Sequence, residues 1–144
     1  MTQIKEQLAY FKNEARSYIY LQRLKEQLVE DLNELWGEMV GVSSPAVKDV
    51  ILENVADPYS EKKVRLIEEK DRKQKELDSV LLRIRWIDGV LDRIDDDKKR
   101  SLIISVLVLG ADVERTAFSA GYSRSAFYRM MNSAIKKALF FMKM

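Results

Sequence analysis

The sequence predicts an all-α protein: a long helical hairpin or coiled coil, followed by a C-terminal three-helix domain that carries a helix-turn-helix. Three observations carry that expectation. Five glycines and two prolines in 144 residues leave few places for the chain to turn. Apolar residues recur at three- and four-residue steps through two long stretches, the pattern of one helix face. Near the C-terminus, two short amphipathic stretches flank a glycine, and each follows a residue able to cap a helix.

The first long stretch runs from Thr2 to Trp36 without Gly or Pro. Ile4, Leu8, Phe11, Ala15 and Tyr18 form an a/d seam, and Leu21, Leu24, Leu28, Leu32 and Leu35 continue it after a shift of phase. The step from Tyr18 through Leu21 to Leu24 is one residue short, so the helix is expected to be overwound there. Gly37 weakens this helix and Gly41 is expected to end it. Ser44-Pro45 then restarts the chain as a short helix over residues 45–56. Asp57-Pro58 breaks it again, and Glu61 opens a second long helix. Its stripe begins at Val64 and Ile67, fades, and returns as Leu77, Leu81, Ile84, Ile87, Leu91 and Ile94. Trp36 and Trp86 sit at the seam edges as expected packing anchors. Such helices fold back on each other or pair with copies of the chain. Residues 1–94 are therefore read as the oligomerising region and residues 95–144 as a separate head.

In the head, Asp95-Asp96-Asp97 reads as the acidic start of a helix rather than a metal site, because carboxylates favour the positive end of the helix dipole. Leu102 to Leu109 is the expected first helix of the head. Asp112 caps a second helix over residues 113–120, with Val113, Thr116, Ala117 and Ala120 inward. Gly121 supplies the left-handed residue that ends it, and Ser123 caps a third helix. Phe127, Met130, Met131, Ala134, Ile135 and Ala138 face inward. Arg124, Ser125, Tyr128, Arg129, Asn132 and Lys136 are left facing out. Guanidinium, hydroxyl and amide groups on the first turns of an exposed helix suit base edges in a major groove. Leu139-Phe140-Phe141-Met142 is expected to pack back onto the core.

Charge points the same way. Arg115, Arg124, Arg129, Lys136, Lys137 and Lys143 meet no Asp or Glu after Glu114. That end carries +6 against a whole-chain net charge of +2, which leaves −4 on residues 1–114. A polyanionic backbone attracts such an end at long range. The expected DNA-contacting set is Arg115, Ser123, Arg124, Ser125, Tyr128, Arg129, Asn132, Lys136 and Lys137.

The run from Ala117 to Arg129, A-F-S-A-G-Y-S-R-S-A-F-Y-R, resembles the fourth region of sigma-70 factors, and Ala134 to Leu139, A-I-K-K-A-L, is similar to the basic ending of that region. Thr116 and Ala120 depart from it, standing where the family has larger aliphatic residues. The layout, a long charged helical part ahead of such a head, is similar to phage late-gene regulators of the RinA/ArpU type. The resemblance implies a transcriptional regulator of phage late genes, an activator that binds double-stranded DNA; host RNA polymerase is a further candidate partner.

Composition narrows the alternatives. The chain has no Cys and no His, which removes disulfides, thiol nucleophiles, Ser-His-Asp catalysis and ordinary zinc sites. No phosphate-binding loop is present, so neither enzymatic activity nor a cofactor is expected. The N-terminus lacks the apolar core of a signal peptide, and no apolar run approaches the roughly 20 residues of a membrane span. A cytoplasmic protein is expected, with a homo-oligomer, most simply a dimer, held by the long helices. Two other readings remain open: a structural or interaction protein that docks on polymerase or another partner through its helices, and the DNA-recognition subunit of a packaging terminase.

Overall fold

The computed structural model describes residues 2–42 and 58–142, and among them every regular element is helical. The order is α1 (Thr2–Arg16), α2 (Tyr18–Val42), α3 (Pro58–Asp92), α4 (Asp97–Ile103) with a π-helical continuation over Ile104–Val108, α5 (Val113–Ser119) and α6 (Arg124–Met142). The short helix expected at 45–56 lies outside the described residues. α2 runs through both Gly37 and Gly41. No described helix is long and apolar enough to cross a membrane.

The chain divides into two compact units, one of residues 23–81 and one joining residues 1–22 to residues 82–144. The division does not fall at 94/95: the start of the chain and the end of α3 belong with the C-terminal helices.

In the 23–81 unit, Leu28, Leu35, Leu66, Leu77 and Val80 are buried by the chain's own atoms. Leu35 and Leu66 pack together, with Met39 against them. Lys73 Nζ lies 3.0 Å from Asp31 Oδ2, and Gln27 donates to Asp31 Oδ1 at 2.9 Å. Those two hydrogen bonds, Gln27's foremost, hold the Asp31 carboxyl below its usual range. The expected start of the second stripe is corrected: Val64 and Ile67 are exposed, and Leu66 is buried instead. Counting back from Ile94 in alternating steps of three and four gives Leu91, Ile87, Ile84, Val80, Leu77, Lys73, Lys70 and Leu66. The stripe never stops; two lysines occupy its middle, and Lys73 answers Asp31 there. Trp36 is also corrected. It is 61% exposed, on an outer stripe with Val29 and Val40.

In the other unit, α1 and α2 are separated at Ser17. The Ser17 N–H bonds to the Glu14 carbonyl three residues back at 3.0 Å, and Ser17 Oγ donates to the Asn13 carbonyl at 3.3 Å. The shortened step in the seam is thus taken up by one tight turn just ahead of it. Phe11, Ala15 and Leu21 are buried, as are Ile87, Val90 and Ile94 of the α3 end. Trp86 meets Phe11 edge-on at 5.7 Å and Tyr10 at 5.4 Å. Glu14, a buried carboxylate, accepts two bonds from one guanidinium, Arg83 Nε at 2.9 Å and Arg83 Nη2 at 2.7 Å. Tyr18 donates to Asp88 at 2.8 Å, and burial followed by that bond pushes the phenol above its usual range.

The acidic trio divides its labour. Asp96 caps α4 by accepting from the Lys99 N–H at 3.0 Å, Asp97 takes Arg100 at 2.7 Å, and Asp95 takes Lys137 at 3.0 Å. Arg100 also donates to the carbonyls of Leu91 and Ile94, closing the orphan end of α3. α4 passes into the π turn at Ile104, where the Leu109 N–H reaches the Ile104 carbonyl at 3.0 Å. Gly110, at φ 74°, ends it.

Candidate functional site

The C-terminal helices are placed by local rules. Asp112 Oδ2 accepts from the Arg115 N–H at 3.0 Å and starts α5. Gly121 has φ 82°, and beside it the Tyr122 N–H bonds to the Ala117 carbonyl at 2.8 Å and the Gly121 N–H to the Phe118 carbonyl at 3.0 Å. This pair of bonds is the Schellman stop. Ser123 Oγ accepts from the Ala126 N–H at 3.1 Å and starts α6. Tyr122 packs edge-on against Phe127 at 6.0 Å, so the connection is anchored to the core. Phe127, Met131, Ile135, Ala138 and Leu139 are buried along α6, and Ala117 is buried on α5.

The expected contact residues fall into three groups. Arg115, Arg124, Ser125 and Arg129 are exposed. Arg124 faces Glu114 at 3.4 Å, a contact with both side chains in solvent that water screens. Ser123 and Lys137 are also exposed, but Ser123 is occupied as a cap and Lys137 is paired with Asp95. That lysine holds the Asp95 carboxyl below its usual range, through its hydrogen bond first and its charge second. Tyr128, Asn132 and Lys136, four residues apart on one stripe, are half-buried. The cause is α1, which packs against α6. Lys12 Nζ sits 6.0 Å from the centroid of the Tyr128 ring, and the Arg124 guanidinium lies at the same distance. Asn132 Oδ1 is buried and accepts no hydrogen bond.

Compared with known protein families, curated proteins and solved structures, the chain matches none.

α1 is the part that sequence reasoning missed. Lys12 is half-buried, and its ammonium is held below the usual lysine range by burial first, then by Arg16, then by Lys136. Three cations from two helices therefore share one region. None of the three forms an ion pair among the described residues. A signal was present in the sequence: Lys5, Ala9, Lys12 and Arg16 are spaced on one acid-free helical stripe. The end of α6 also differs from expectation. Leu139 is buried and Met142 half-buried, whereas Phe140 and Phe141 point to solvent and pack on each other at 6.0 Å. The helix continues to Met142, so its periodicity carries these two rings outward.

Proposed function

We propose that the protein is a sequence-specific DNA-binding transcriptional regulator, with α5, the turn at Gly121 and α6 acting as a helix-turn-helix. One observation carries the reading. Arg124, Ser125 and Arg129 stand exposed on the first turns of a helix with no acidic residue along it, beyond a capped and glycine-closed turn. In a major groove, Arg129 and Arg124 would pair with guanine edges, and Ser125 with either partner of a base pair. Lys136 and Lys137 would meet phosphates.

The two long helices fit a closed hairpin, since Leu28, Leu35, Leu66 and Leu77 are buried within the single chain. Self-association as a dimer would then use the outer stripe of Val29, Trp36 and Val40 instead of the seams. Activation of phage late genes in a host cytoplasm follows from the resemblance to late-gene regulators. A second reading, docking on polymerase or another protein, draws on Phe118 and Leu109, which are 85% and 64% exposed.

Anisotropy titrations of the full chain on labelled duplexes test the proposal. Binding should weaken with salt at a log–log slope of magnitude about 4–6. Arg129→Ala should cost about 1–3 kcal/mol on the preferred sequence and relax choice at one or two base pairs. A flat salt dependence would remove DNA recognition and leave the protein-docking reading.

A further inference from the structure

α1 belongs to the stretch with a net negative charge, yet it brings two cations to the side of α6. Lys12 lies over the ring of Tyr128, the residue one helical turn after Arg124. Arg16, one turn further along α1, and Lys136, two turns after Tyr128, both act on Lys12 through their charges. Keeping like charges together without acids is unfavourable for the folded chain by itself. The buried apolar side chains of α1, Leu8, Phe11 and Ala15, lie on a neighbouring stripe. The acid in this part of α1, Glu14, is turned away into its pair with Arg83 and cannot neutralise the cluster. A surface of this kind is completed by an external polyanion.

We propose that Lys12 and Arg16 of α1, together with Lys136 of α6, form a contact surface for the phosphate backbone of duplex DNA beside the reading helix. The inference rests on the DNA-binding reading above and extends it to a helix that lies outside the helix-turn-helix. The cluster's charge sits on two ammonium groups and one guanidinium, that of Arg16, which also donates to the amide oxygen of exposed Asn13 at 3.4 Å; cations at the flank of the reading helix grip backbone and do not read bases. Its contribution is the same for every sequence. It also sets how the chain lies on DNA, because contacts from a second helix at the flank of α6 fix the angle at which α6 enters the groove.

The test uses full-length protein and a labelled random-sequence duplex, titrated from low to moderate salt. The double variant Lys12→Gln, Arg16→Gln should bind about tenfold more weakly at low salt, with the log–log slope reduced by about 1.5–2. Its ratio of preferred to random affinity should not change. Lys75→Gln, an exposed cation in the 23–81 unit, should leave slope and affinity as they are. The charge-keeping pair Lys12→Arg, Arg16→Lys should retain the wild-type slope. If that pair loses affinity as the Gln pair does, packing and not charge is responsible and the inference is wrong. If wild-type protein binds duplex steeply with salt but the Gln pair keeps its slope, α1 does not touch the backbone, while the DNA-binding reading stands. If wild-type protein binds no duplex at low salt, both fall together.

Discussion

A methyl group placed on Gly121 isolates a backbone effect. Nothing lies within 4 Å of the position its Cβ would take, but φ is 82°. Gly121→Ala should therefore lose about 1–2 kcal/mol through left-handed strain alone, read as a lowered midpoint in thermal circular dichroism. Because the Schellman bonds fix the angle between α5 and α6, the same change should also reduce DNA affinity. The caps at Asp112 and Ser123 and the stop at Gly121 were legible in the sequence, since each depends on three or four neighbouring residues. Tyr128, Asn132 and Lys136 were legible as one stripe of α6, but their half-burial was not. It is imposed by α1, more than a hundred positions earlier in the chain, and no local pattern encodes that pairing. The outward direction of Phe140 and Phe141 was available from the helical period, and the expectation that the whole tail packs inward overrode it.

Between elements, the contact with most at stake is Glu14 with Arg83. The carboxylate is nearly buried, and both of its oxygens depend on one guanidinium. Arg83→Ala leaves that charge without a partner. The cost should be roughly 2–3 kcal/mol, below that of a fully buried pair because the Arg83 side chain is itself 42% exposed. Urea unfolding measures it, and Glu14→Gln on top of Arg83→Ala should recover part of the loss by removing the stranded charge. The long stretches were expected as helices and are helical where described, with one break and one phase that differ from expectation. At Ser17 the expected overwinding appears as an actual break between α1 and α2, because a one-residue shortfall in the seam is absorbed most cheaply by one i to i−3 turn. At Val64 the stripe was started from the first apolar residues met, when the period through the lysines leads to Leu66. The π turn after α4 had no signature: Leu102 to Leu109 is apolar except for Ser105, and such a run does not report its own register.

At the level of the molecule, a boundary at 94/95 was the natural expectation, since the apolar seam of the second long helix ends at Ile94 and Asp95-Asp96-Asp97 follows. The compact units ignore it. Ile94 is buried, Arg100 holds the carbonyls that end α3, and α1 packs on α6. A fragment of residues 95–144 should consequently fail to fold, showing low helicity and no cooperative melt, even though it contains the whole proposed helix-turn-helix. A mixture with a second fragment of residues 1–94 should restore helicity to the level of the intact chain. A cooperative melt of the 95–144 fragment alone would show that the C-terminal helices are self-sufficient and that α1 is an accessory.

The unit that joins residues 1–22 to residues 82–144 also has a history during synthesis. α1 leaves the ribosome well before α6 and waits for it. At about 5–20 residues per second that wait lasts several seconds or more, during which Phe11, Ala15 and Leu21 have no partners. The interposed 23–81 segment can close on itself in the meantime, and its closure shortens the effective loop that the two halves of the other unit must span. A nascent chain stalled before α6 would carry the cations of α1 without the helix they flank. The cations of α1 and of α6 are therefore brought together only once both helices have been made.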